Sequence, residues 1–354
     1  MLVSTGTLPL PEFFEPANAR RWDYRPDPQA LLSAAAEWRR QYGIVPAAAA
    51  AEKVHLLVID AQKDFCFPAG SLYVGGRSGT GAMDDNRRLA EFVHRNLGTI
   101  TAITTTLDTH VPTQIFFPSF WLDPSGSPPA PHTLVRADRI RSGALRPNPA
   151  IADWLCGGDY PWLVAQAAFY CDELARAGKY ELYLWPYHCL LGSDGHALAG
   201  IIQEAQLFHA FARQTQAGIE MKGSHVLTEN YSILRPEVLL SHDGGTLAQK
   251  NTALLATLLN SDVIVIAGQA ASHCVKSTIE DLLAEIIAVD PSLAGKVYIL
   301  ADCMSSVVVP DGTGGFLADF TDQAAAALDR FQNAGMQAVD STVPMADWPR
   351  WPLS

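Results

Sequence analysis

The last third of the chain limits its fold most strongly. An apolar strand at 262–267, a helix at 273–288, a strand at 296–301, a helix at 321–334 and a final strand around 336–340 follow in order. Strands that alternate with helices run parallel, because each helix serves as the crossover between neighbouring strands. The alternation starts earlier, with a strand at 54–59, a helix at 84–96 and a strand at 100–106. It resumes with helices at 161–177 and 196–216, a strand near 224–228 and a helix at 246–259. The pattern predicts an α/β fold: a doubly wound, mostly parallel six-stranded sheet with helices on both faces.

Around this core, residues 1–50 read as an N-terminal extension, Pro-rich and then alanine-rich, with a helix at 28–42 for which Asp27 can cap and Pro28 begin the first turn. Residues 51–345 form the main domain, and 346–354 a C-terminal tail. After Pro112 the alternation lapses into a segment rich in Pro, Ser, Gly and Trp, too long for an ordinary connection. It reads as an insertion, about 120–180. Its aromatic residues, Phe116, Phe117, Phe120, Trp121, Trp154 and Trp162, are read as packing onto the sheet, with a subunit interface as the alternative.

A formal net charge of −12 leaves no basic field to collect nucleic acid or anionic lipid. No run approaches the roughly 20 apolar residues of a membrane span. The first 20 residues, with Pro9, Pro11, Pro16, Glu12 and Glu15, lack the basic start and apolar core of a secretory signal, so a cytoplasmic location is expected. Six cysteines without a Cys-x-x-Cys pair are expected as reduced thiols, and an arbitrary one is a small core hydrophobe.

Ligands of open α/β sheets bind beyond the carboxyl ends of the strands, where strand order reverses. There the sequence places Asp60 after the first strand, Asp108 and His110 after the second, and Cys274 after a later apolar strand. Cys274 stands in Gly268-Gln-Ala-Ala-Ser-His-Cys-Val, at the start of a helix whose free N–H groups and dipole favour a thiolate and an oxyanion. A packed thiol at a turn is the bland alternative. Asp60 can take a thiol proton if it lies within hydrogen-bond reach, or can simply be a turn former, with Asp64 a helix cap. Asp108 and His110, two apart on an extended segment, can reach one metal, and His188 in Trp185-Pro-Tyr-His-Cys can add a third ligand; spacing alone makes this a weak signal.

Four blocks in order, Val58-Ile-Asp60-Ala-Gln62-Lys-Asp64-Phe65, Asp108-Thr-His110, Trp185-Pro-Tyr-His188-Cys and Ala267-Gly-Gln-Ala-Ala-Ser-His-Cys274, resemble the nicotinamidase and isochorismatase-like cysteine hydrolases, and their metal set resembles the nicotinamidase branch. The resemblance covers most of 54–340 outside the insertion and implies an isochorismatase-like fold. It implies that Asp60 is general base and acid, that Lys222 in Ile-Glu-Met-Lys-Gly completes the catalytic set with the nucleophile Cys274, and that the Ala270 and Cys274 amides hold the oxyanion. Without it, Lys222 reads as an ordinary exposed lysine.

The resemblance also implies a cis peptide between Gln269 and Ala270, and one divalent metal ion on Asp108, His110 and His188, zinc in the first place with iron or manganese compatible, and no organic cofactor. Substrate contacts fall to Phe65, Trp185, Tyr231 and Gln269, although Ile233 and Leu234 stand where an aromatic is common in the family. The implied reaction is hydrolysis of a small carboxamide, nicotinamide with water to nicotinate and ammonia, through a thioester on Cys274, in a homo-oligomer. Other readings stay open: a different carboxamide or ureide hydrolase of the superfamily, a hydrolase whose metal-bound water attacks, or a non-catalytic binding protein.

Overall fold

The computed structural model describes residues 7–178 and 180–353. Six parallel strands form one sheet: β1 (Val54–Ile59), β2 (Ala102–Asp108), β3 (Gly218–Lys222), β4 (Val263–Gly268), β5 (Val297–Leu300) and β6 (Gln337–Val339). Their order across the sheet is β6-β5-β4-β1-β2-β3, so the winding reverses between β1 and β4. Both of these central strands are buried along their whole length, as parallel strands covered on two faces must be. The polar exception, His55, is satisfied by Thr104 Oγ1 on β2 at 2.9 Å.

Alternate residues divide the two faces. Leu56, Val58, Val263 and Val265 join the core beneath helix α2 (Gly81–Arg95) and helix α4 (Gly200–Ala212). Leu57, Ile59, Ile264 and Ile266 face helices α5 (Thr252–Leu259), α6 (Cys274–Val289) and α7 (Thr321–Asn333) on the other side. Helix α1 (Pro28–Tyr42) is capped by Asp27, which accepts from the N–H groups of Gln29 and Ala30, and ends at Gly43 with φ +64°. Its Leu31 and Ala35 pack on Phe208 and Ala212 of α4, which makes the described part of the extension a further layer on one face. No helix among the described residues is long and apolar enough to cross a membrane.

The third expected strand is displaced: it lies at 218–222, not near 224–228. As the sheet's edge it leaves Ile219 and Met221 exposed, so it carries no buried apolar run. The apolar Val226 and Leu227 instead pack in a loop against a separate core. That core belongs to the inserted segment. It gathers Phe116, Phe117, Phe120 and Trp121 with helix α3 (Tyr160–Arg176) and two short antiparallel ladders, 121–122 with 146–147 and 134–135 with 182–183. Of the segment's aromatic residues, Trp154 remains exposed.

Three buried histidines make the fold sensitive to acid. Burial lowers His55 to about 4, His94 to about 3 and, first among its causes, His209 to about 4. Each is neutral in the folded chain but takes a proton near pH 6.5 when unfolded, so stability present above that pH is lost as the pH falls toward the folded values. His94 is the clearest case: neither ring nitrogen has a partner among the described residues, and the rings of Phe13, Phe14 and Phe208 surround it at 5.8, 5.1 and 5.6 Å. His94→Phe is expected to lose about 2 kcal/mol less stability than the parent between pH 6.5 and 5, in urea titrations.

Candidate active site

The carboxyl ends of four adjacent strands supply the site. The turn after β4 carries Cys274, Asp60 follows β1, Asp108 ends β2 and Lys222 ends β3, with Asp108 directly opposite Lys222 in the ladder. Gly268, at φ +117°, lets β4 close on β1 where the winding reverses: a Cβ there would stand 2.0 Å from the Ile59 carbonyl oxygen. The peptide between Gln269 and Ala270 is cis.

Lys222 is the centre of the constellation. Its Nζ lies 2.9 Å from Asp60 Oδ2, 2.9 Å from Asp108 Oδ1 and 3.5 Å from Cys274 Sγ. Far from an exposed lysine, it is buried with a relative exposure of 4%. Burial works against its charge, but Asp108, Asp60 and Cys274 outweigh that and hold the ammonium well above its ordinary range. Burial lifts the Asp60 carboxyl, Lys222 opposes the lift and Asp108 adds to it; the outcome is a carboxylate with raised proton affinity. Thr106 on β2 fixes that carboxylate, donating its hydroxyl to Oδ1 while accepting the Asp60 N–H at 3.0 Å.

Cys274 combines a helix start that favours a thiolate with surroundings that oppose one. Burial pushes its thiol well above the usual range; Lys222 pulls it down, and Asp60 and Asp108 push it further up. Among the described residues the N–H groups of Ala270, Ser272 and Cys274 meet no protein acceptor, whereas those of Ala271, His273 and Val275 bond to Ser305, Ala270 and Ala270 carbonyls. Free N–H groups at this helix start can receive a developing oxyanion.

Asp108, His110 and His188 converge with one ligand atom each, all within 4.8 Å of one another and all buried. The Nδ1 atoms of the two imidazoles face carbonyls, Gly223 O at 3.2 Å and Pro186 O at 2.7 Å. This leaves Nε2 of His110 and of His188 facing Asp108 Oδ2, at 2.9 and 3.8 Å. Carbonyls that fix the outer nitrogen are the usual second support of a ligating imidazole. Burial, then the neighbouring His110, lowers His188 to about 4, so it is neutral and able to ligate. Gly223 completes the cradle, since a Cβ would meet Asp108 Oδ1 and His110 Cε1 at 2.8 Å. One carboxylate and two imidazoles fit a divalent ion of the zinc, iron or manganese type.

Between this cluster and the thiol lies a small cavity. Its lining includes Phe65, Trp185, His188, Tyr231, Ala270 and Cys274. Phe65, Trp185 and Tyr231 thus line this cavity. Gln269 does not: its amide is buried, donating to Asp85 Oδ2 at 2.9 Å and accepting the Ser305 N–H at 3.3 Å. It anchors the cis turn instead of facing the cavity. Asp64 also departs from the expected cap, accepting the N–H groups of Cys189 at 2.7 Å and Ser71 at 3.1 Å.

Three supporting residues had no role assigned from the sequence. Gln62 clamps the Asp108 backbone, donating to its carbonyl at 2.8 Å and accepting its N–H at 2.7 Å. Thr106 looks like any β-branched strand former. Glu229 is buried behind the pocket wall, and burial, with Glu237 adding to it and Tyr170 opposing, raises its carboxyl to about 8. A buried glutamate leaves no periodic signal in the sequence.

Neither a protein-family model nor a curated protein matches the sequence. Among solved structures the chain is similar to the yeast nicotinamidase Pnc1p bound to the inhibitor nicotinaldehyde, at 17% identity over 81% of this chain and 99% of that one, with a TM-score of 0.50. It is also similar to an Acinetobacter baumanii nicotinamidase and pyrazinamidase, at 18% identity over 82% of this chain and 97% of that one, with a TM-score of 0.49. The first likeness shows a shared α/β fold. Almost the whole of the yeast protein corresponds to about four-fifths of this chain, so this chain carries additional segments.

Proposed function

We propose that the chain is a cysteine-dependent amide hydrolase acting on a small pyridine carboxamide, nicotinamide first, and releasing nicotinate and ammonia. The observation that carries this reading is Lys222 Nζ, placed at once against Asp60, Asp108 and the Cys274 thiol.

Asp60 takes the thiol proton as Sγ attacks the amide carbon, with the ammonium of Lys222 compensating the negative charge that moves onto sulfur. The carbonyl electrons pass to oxygen, where the N–H groups of Ala270 and Cys274 receive the oxyanion. Asp60 then gives its proton to the amide nitrogen, the C–N bond breaks and ammonia leaves a thioester. Water, deprotonated by Asp60, attacks that thioester, and the departing sulfur recovers a proton as the acid is released. Phe65, Trp185 and Tyr231 shape the slot for a flat ring. Asp108, His110 and His188 would hold a divalent ion, zinc foremost, which would supply a Lewis-acid anchor for a ring nitrogen.

Ammonia release from nicotinamide, pyrazinamide, benzamide and a ureide tests the reading. Nicotinamide is expected to be turned over with the highest kcat/KM, and turnover confined to the ureide would contradict it. His188→Ala is expected to lose bound metal in elemental analysis and to raise KM by roughly tenfold or more, with a smaller change in kcat. Full metal content in that variant would remove His188 from the ligand set.

A further inference from the structure

We infer that Glu229 is a positioning residue for the Cys274 pocket, which holds the Trp185–Tyr231 wall in place and ties it to the inserted segment. The inference rests on the reading of this pocket as a carboxamide site.

Glu229 lies in the loop after β3 with a relative exposure of 3%, and both carboxylate oxygens are committed. Oε1 accepts the Tyr231 hydroxyl at 2.9 Å, and Oε2 accepts the Tyr170 hydroxyl at 2.9 Å. Tyr170, on α3 of the inserted segment, also accepts the Glu229 backbone N–H at 3.0 Å. The Tyr231 oxygen in turn accepts the Trp185 indole N–H at 2.8 Å. A continuous chain of hydrogen bonds thus runs from the insertion through Glu229 to the two aromatic side chains that line the Cys274 cavity.

Glu229 does not itself line that cavity. It borders a smaller one behind the wall, shared with Asp108, His110, Phe116 and His188. Its role is therefore exerted through Tyr231 and Trp185. Without this acceptor the Tyr231 hydroxyl would be a buried donor with no partner on that side, and the wall would re-seat to find one. A binding wall contributes to affinity when its side chains are already ordered, and a loose wall has to be ordered by the ligand. The insertion thus acts on the pocket from behind, through one buried carboxylate.

The test uses the full-length, metal-loaded protein. Wild-type turnover of nicotinamide is measured first, and nicotinamide affinity is then measured by calorimetry in Cys274→Ala, alone and combined with E229L, E229Q or Y170F. Leucine keeps bulk and removes the acceptor; glutamine keeps an oxygen for Tyr231 and offers an N–H to Tyr170. E229L is expected to weaken binding by roughly tenfold, the scale of one lost hydrogen bond, at unchanged metal content. E229Q is expected to restore most of that affinity, and Y170F to weaken binding by a smaller factor.

Parent-like affinity in E229L, or a loss in E229Q as large as in E229L, overturns the positioning role. If E229L does not fold, Y170F decides: unchanged affinity there overturns the link to the insertion. A wild-type protein that neither binds nor hydrolyses nicotinamide overturns the functional reading, and this inference with it. Wild-type turnover with indifferent Glu229 variants overturns this inference alone.

Discussion

Cys274→Ala is expected to abolish ammonia release from nicotinamide, with a fall in kcat of roughly 10⁴-fold or more, as removal of a nucleophile produces elsewhere. The thiol stands 3.5 Å from Lys222 Nζ, and beside it open the N–H groups of Ala270 and Cys274. Alanine removes the attacking atom and leaves those amides, the pocket and the metal cluster in place. Metal content should accordingly be unchanged, because Asp108, His110 and His188 do not include the cysteine. A fully active variant that loses activity on chelation would favour a metal-bound water as the nucleophile.

Asp60→Asn is expected to lower kcat by roughly 10²- to 10⁴-fold, the usual range for a general acid–base residue. Asparagine can keep the contact with Thr106 but cannot take the thiol proton. Raising the pH should not repair the variant. Burial holds the thiol well above its ordinary range, so alkaline conditions compatible with the fold produce little thiolate without Asp60. A pH–rate profile of the variant between 6 and 9 checks this; recovery toward wild-type rates at pH 9 would mean that the thiol ionises without the carboxylate.

The central sheet was legible because its strands are buried on both faces. Val54–Ile59 lies where it was expected, and the sequence placed Val263–Gly268 to within one residue at either end. Such strands are continuous apolar runs, and their position depends little on the rest of the chain. The edge strand was misplaced for the opposite reason: Gly218–Lys222 has two exposed apolar residues and one buried lysine, a pattern that acquires meaning only beside Asp108. The inserted segment was legible as additional chain but not as a fold. Its ladders are two residues long and join positions 24 to 49 apart in sequence, below what local pattern can reveal.

Much the same division holds for the site. Asp60, Lys222, Cys274, Asp108, His110 and His188 lie close together in the structure, although spacing alone left Lys222 an ordinary surface residue. Gln269 was placed near the pocket by its neighbours, yet its side chain turns to Asp85 because a buried amide must satisfy both ends. Glu229 and Thr106 emerge only from tertiary contact. The raised proton affinity of Cys274 is likewise tertiary in origin: the helix start favours a thiolate, whereas burial and two nearby carboxylates push the thiol up.

Rapid acid quench of the wild-type enzyme during nicotinamide turnover, followed by peptide mass spectrometry, tests the nucleophile most directly. The expected result is a nicotinoyl group in thioester linkage on the peptide containing Cys274, absent from Cys274→Ala. Sustained turnover with Cys274 unmodified at every quench time, together with an active Cys274→Ala enzyme, would contradict it.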